Sequence, residues 1–105
     1  MTEMGTQLSV DANDAGFDLA GEIDAHTAPA LEQALTERLE SGASTITLDM
    51  AGVTFMDSSG LRIVIAATET ARGSGGDLIL SSPQSTVRRL VEVSGLSNHL
   101  TVQDA

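Results

Sequence analysis

The hydrophobic period of this chain switches repeatedly between two and about 3.6 residues, with glycine or proline near most of the switches. Gln7–Val10 is a short β-like run, and Asn13-Asp14-Ala15-Gly16 reads as a turn. Phe17–Ile23 then alternates, with Phe17, Leu19, Gly21 and Ile23 on one face, so the first two runs predict a hairpin. In the next segment Leu31, Ala34, Leu35 and Leu39 recur at helical spacing. Thr27 precedes it as an N-cap, Pro29 falls in the first turn and Gly42 follows its end, which predicts a helix over 28–41. Thr45–Met50 predicts a central strand, with Ala51-Gly52 bending the chain and Val53–Met56 left as a loop or strand end. Ser59–Arg72 is a second helix, apolar nearly all round, closed by Gly73-Ser74-Gly75-Gly76. Asp77–Leu80 is a strand, Ser82-Pro83 is expected to cap and start a third helix carrying Val87, Leu90 and Val91, and Gly95 stops it. Leu100–Val102 closes the pattern as a short strand. The order predicts an α/β fold: a four- to five-stranded mixed sheet with three or more helices packed on it, one domain over 1–105.

Composition narrows what such a fold can do. Hydrophobic residues make up 41% of the 105, enough for a core, but aromatics are 2%, so that core is aliphatic. Fifteen acids against five bases give a net charge of −10. Such a chain repels phosphodiester backbones and anionic lipid, so neither nucleic acid nor a membrane is an expected partner. The bases are all Arg, and without Lys there is no Walker-type phosphate lysine, Schiff base or Ser-x-x-Lys pair. Without Cys there is no disulfide, thiol catalysis or Cys-based metal site. Met1–Val10 has neither a basic region nor an apolar run, and the longest apolar run, Ile63–Ala67, is far short of the ~20 residues that span a bilayer. The expectation is a cytoplasmic protein.

The stretch with chemistry in it is Val53-Thr54-Phe55-Met56-Asp57-Ser58-Ser59-Gly60-Leu61. A strand-like run ends at Asp57, two hydroxyls and a glycine follow, and an apolar helix begins. Asp57 or Ser58 is placed as N-cap, where the first backbone N–H groups lack helical partners and the dipole favours negative charge. Such a terminus accepts an anion, including a phosphoryl group carried by its own serine. Taken alone, Asp-Ser-Ser-Gly is more often an ordinary cap or turn.

Other sites are weaker. His26 and His99 with Asp57 and Ser58 have the residue types of a hydrolase triad, but no Gly-x-Ser-x-Gly elbow accompanies them. His26 with Asp24 is a poor metal pair, so no metal and no cofactor is expected. Gly73–Gly76 lacks the Gly-Lys of a phosphate loop, and Arg88-Arg89 reads as a solvated helix face. The stripe Leu31, Leu35 and Leu39 reads as core with an outer rim able to help dock a partner. No set of base, nucleophile and orienting group is visible, so the chain is not expected to be an enzyme.

Four landmarks then stand in order: Gly21-Glu22-Ile23-Asp24 followed by Thr27; Leu48-Asp49; Phe55-Met56-Asp57-Ser58-Ser59-Gly60-Leu61; and Val91-Glu92-Val93-Ser94-Gly95-Leu96. With them, nearly the whole chain resembles a STAS domain, and more narrowly the bacterial anti-sigma factor antagonists. The resemblance implies a STAS-like sheet and a partner-switching protein. In that family the unphosphorylated antagonist binds an anti-sigma factor that is also a GHKL-type serine kinase, releasing a sigma factor. The kinase phosphorylates the serine after the motif Asp, here Ser58, and a serine phosphatase resets the switch. Asp57 is implied as the acid beside the phosphosite, Asp24 as part of the neighbouring binding surface, and Ser59 and Gly60 as the helix start that shapes it. Family members continue into a C-terminal helix, which here is expected to be absent or very short. Two other kinds of STAS protein share the resemblance: the non-enzymatic subunit of a lipid-trafficking ABC transporter, and a small-molecule-binding domain.

Overall fold

The computed structural model describes residues 7–104. Met1–Thr6, part of the stretch read above as lacking signal-peptide character, and Ala105 lie outside the described residues. The elements are β1 (Leu8–Ala12), β2 (Gly16–Ile23), α1 (Ala28–Glu40), β3 (Thr45–Met56), α2 (Ser58–Gly73), β4 (Asp77–Ser81), α3 (Ser85–Val93) and β5 (Thr101–Gln103). They form one five-stranded sheet in the order β1-β2-β3-β4-β5, with β1 antiparallel to β2 and every other pair parallel. The sheet is therefore mixed, as the opening hairpin and the βα alternation predict. The last described element is β5.

The core is aliphatic. Leu19, Ile23, Leu31, Leu35, Ile46, Leu48, Met50, Val53, Val64, Leu78, Leu80 and Val87 are all buried, with Phe17 as its sole aromatic. α1 packs against α2, α2 covers β3 and β4, and α3 packs on β3. Arg38, near the end of α1, locks the β1–β2 turn: its guanidinium donates to the carbonyls of Asn13 (2.7 Å), Asp14 (3.1 Å) and Gly16 (3.2 Å) and lies 5.3 Å from the centre of the Phe17 ring.

Three local expectations are corrected. Ala51-Gly52 does not bend the chain out of the sheet; β3 runs through it to Met56. Register against β2 shows how. Asp18 faces Asp49 and Ala20 faces Gly52, then Gly21 faces Val53 and Glu22 faces Phe55. β3 thus carries one extra residue at each of two bulges. The bulges convert alternate burial at Ile46, Leu48 and Met50 into burial at every third residue, Met50, Val53 and Met56. Gly52 lies within the first bulge, where a Cβ would stand 2.9 Å from that of Ala20.

Thr27 does not cap α1 with its side chain. Its hydroxyl donates to the Glu22 carbonyl (2.8 Å) and accepts from the Asp24 N–H (2.9 Å), tying the loop to the end of β2. The Asp24 carboxylate accepts from the N–H groups of His26 (2.9 Å) and Thr27 (3.0 Å), closing the loop ahead of the first helical residue rather than capping α1.

Ser82 is not the N-cap of α3. It adopts a positive φ of 56° and Pro83 lies outside the helix, which starts at Ser85 after Gln84. Beyond Asp49, β3 has no β4 residue beside it. There the Gln84 side-chain amide donates to the Ala51 carbonyl (2.6 Å) and the Thr86 hydroxyl to that of Thr54 (3.2 Å). Side chains from the α3 start thus supply hydrogen bonds a neighbouring strand would otherwise give.

Candidate functional site

In a parallel pair the two C-terminal ends lie side by side. β2 ends at Ile23 and β3 at Met56, and these two residues face each other in register. Asp24 and Asp57 follow directly, on strands about 4.8 Å apart. The Asp57 N–H donates to the Ile23 carbonyl (3.1 Å), so the start of α2 is fastened to the end of β2.

Asp57 is the N-cap of α2, in an extended conformation, and its Oδ1 accepts from the Ser59 N–H at 2.8 Å. That carboxylate occupies one of the helix's open donors and complements its dipole. Ser58, the first residue of the helix, is exposed, and its hydroxyl makes no hydrogen bond to the described residues. Ser59 is half-buried. Gly60 is buried, and a Cβ there would stand 2.5 Å from Ile23 Cγ2 and 2.8 Å from Met56 Cγ. Glycine at this point lets α2 start directly against the ends of β2 and β3. Gly60 therefore sets the height of Ser58 from beneath the surface.

The structure brings Asp24, Asp57, Ser58 and Ser59 to one end of the sheet. Asp24 is half-buried, with its carboxylate engaged in the β2–α1 loop. His26 is exposed in that loop. His99 lies at the opposite end, in the loop entering β5, so the two histidines and Ser58 do not converge as a triad. Arg62, one helical turn after Ser58, is exposed and makes no ion pair among the described residues.

A surface feature was hidden in the motif. Phe55 is 44% exposed, although it is one of only two aromatics in the chain. The burial of Met50, Val53 and Met56 turns it outward, beside Glu22 in the register. A spacing of three within a strand-like run was the signal available in the sequence.

Residues 7–105 match the STAS domain family. The chain belongs to that family. The anti-sigma-B factor antagonist of Listeria monocytogenes is 31% identical over 94 residues, covering 90% of this chain and 82% of that protein. Among solved structures, the anti-sigma factor antagonist SpoIIAA in its unphosphorylated form superposes with a TM-score of 0.78 at 27% identity, covering 94% of this chain and 88% of that one. The phosphorylated form of the Bacillus cell fate determinant SpoIIAA gives a TM-score of 0.69 at 25% identity, covering 96% and 91%. The five-stranded mixed sheet with three helices is thus a STAS fold, and the chain is grouped with STAS proteins named as anti-sigma factor antagonists. Among the described residues, no helix is long and apolar enough to cross a membrane.

Proposed function

We propose that this protein is an anti-sigma factor antagonist that works by binding rather than catalysis, and that Ser58 is its switch. The observation that carries the reading is the exposed, unbonded Ser58 hydroxyl at the first residue of α2, directly after the Asp57 cap. A STAS relative solved in both unphosphorylated and phosphorylated forms supports it. Unphosphorylated, the end of the sheet offers the half-buried Asp24, Asp57 and Ser59, the exposed Ser58 and the apolar surface of Phe55. Its partner is an anti-sigma factor of the GHKL serine kinase type, whose capture frees a sigma factor in the cytoplasm.

Phosphorylation at Ser58 adds about −1.5 to −2 charges at a surface already carrying Asp24, Asp57 and Glu22. Asp57 already holds the Ser59 N–H, so the phosphate competes with a carboxylate for the helix start. Arg62 offsets part of the added charge at the i,i+4 spacing. Against a partner surface fitted to the neutral serine, an unmatched desolvated charge costs several kcal/mol, and each 1.4 kcal/mol is tenfold in affinity. A serine phosphatase restores the binding form.

The test uses wild type, Ser58→Ala and Ser58→Asp as bait in lysate of the source organism, with mass spectrometry of what is bound. Capture of a GHKL-type kinase by the first two forms and not the third supports the switch. Capture of a transporter ATPase, indifferent to Ser58, overturns it.

A further inference from the structure

α1 and α2 lie against each other along two stripes. On α1 the stripe is Glu32, Leu35, Thr36, Leu39 and Glu40; on α2 it is Ile63, Ala66, Ala67 and Thr70. Both follow the i, i+3, i+4, i+7 rule of a single helix face. Leu35 and Ala67 are buried at the bottom, Leu39 and Ile63 are half-buried and Ala66 is exposed. The small side chains at 66 and 67 leave an open groove of about 260 Å³ between the helices. That is below the ~300 Å³ at which sites for small molecules begin, and of a size for apolar side chains entering from a partner. The polar equipment is one-sided. Glu32 and Glu40 are the only charged residues lining it, and the Thr70 hydroxyl already donates to the Ala66 carbonyl (3.1 Å).

We infer that this groove docks a basic amphipathic helix of a protein partner, its apolar face over Leu39, Ile63 and Ala66 and its cations against Glu32 and Glu40. The charge pattern selects that occupant. A second copy of this chain would bring −10 against −10 and meet the two glutamates with its own acidic surface. An anionic membrane is repelled in the same way. A cationic helix is attracted over long range and buries apolar surface on arrival. The inference does not rest on the Ser58 reading, because the groove contains none of Asp24, Asp57, Ser58, Ser59 or Gly60.

The experiment is a titration of the isotope-labelled full chain with a 14-residue Leu/Lys amphipathic helix, followed by amide chemical shifts. A peptide of the same composition, scrambled to abolish the apolar face, is run beside it. The expected result is shifts confined to residues 32–40 and 63–70, at least tenfold weaker binding of the scrambled peptide, and at least tenfold loss in Ala66→Trp, which fills the groove from an exposed position. The double variant Glu32→Lys, Glu40→Lys tests the rim without touching the floor and loses binding to the same degree. Ser58→Asp retains it, which separates this groove from the switch. Shifts spread over all acidic faces, equal binding of the scrambled peptide, or indifference to both groove variants would overturn the inference. So would the same shifts on concentrating the protein alone, which would give the groove to a second copy.

Discussion

Replacing Gly60 with alanine tests whether the start of α2 is positioned by contact with the ends of β2 and β3. In an unobstructed helix this substitution stabilises by about 0.5–1 kcal/mol, because glycine loses more backbone freedom on folding. Here the new methyl would sit 2.5 Å from Ile23 Cγ2, 2.8 Å from Met56 Cγ and 3.2 Å from Ile23 Cβ. Carbon atoms pack comfortably at about 3.5–4.0 Å, so the helix must lift or the strands must yield by about 1 Å. Met56 can turn aside. Ile23 cannot do so cheaply: it is fully buried and β-branched, and its carbonyl holds the Asp57 N–H. Overpacking of this kind costs roughly 1–3 kcal/mol. Set against the propensity gain, the expected net loss is centred on about 1 kcal/mol, with about 2.5 kcal/mol as its upper end. At roughly 4–8 °C per kcal/mol for a domain near this size, the melting point falls visibly. The chain has no Trp or Tyr, so far-UV circular dichroism in a urea series is the assay. Gly73→Ala in the same helix is the control, since its Cβ meets nothing within 4 Å, and it should be neutral or stabilised by up to about 1 kcal/mol. If Gly60→Ala matches wild type or moves with Gly73→Ala, the close-approach argument fails. The folded fraction of Gly60→Ala is also expected to bind the anti-sigma partner more weakly, because Ser58 rides on the displaced turn.

Asp57→Ala removes the cap on the Ser59 N–H and should cost about 1 kcal/mol in urea unfolding, whereas Ser58→Ala should leave stability unchanged. Arg38→Ala loses three carbonyl contacts and the Phe17 ring contact, for an expected loss of about 2 kcal/mol, with Arg38→Lys recovering only part because an ammonium lacks the planar fork. Asp77 accepts from the Thr101 hydroxyl (2.6 Å) and from Arg72 (2.9 Å), and the Thr101 bond foremost, aided by Arg72, lowers its carboxyl below the ordinary 3.8. A depressed folded value means stability that is present above pH 3.8 and lost as pH falls through the folded value. The stability gap between wild type and Asp77→Asn should therefore be flat above that pH and close below it; a gap that stays constant into acid would contradict the assignment.

How much of this was readable beforehand depends on whether the deciding interaction was local. The alternation of periods placed every element, because each strand and helix announces itself by the face it buries. The cap of α2 was legible to within one residue: the sequence offers Asp57 or Ser58, and the structure gives the role to Asp57, whose carboxylate takes the Ser59 N–H. What escaped was settled by neighbours distant in sequence. Thr27 has the right type and position for a cap, yet its hydroxyl is drawn back to the Glu22 carbonyl at the end of β2. Ser82-Pro83 reads as a helix start, but the chain turns there at positive φ with the Ser82 N–H bound to Gln103, while Gln84 and Thr86 are spent on β3. Ala51-Gly52 looks like a break only while β3 is considered alone; paired with β2 it lies at a bulge. That bulge matters for the site. Without two extra residues in β3, strict alternation from Met50 would carry Met50, Gly52, Thr54 and Met56 inward and leave Val53 facing solvent. With them, Val53 joins the core, and the two-residue shift brings Phe55 beside Glu22 and Met56 level with Ile23. That two-residue shift, settled only by pairing with β2, is what sets Asp57 next to Asp24.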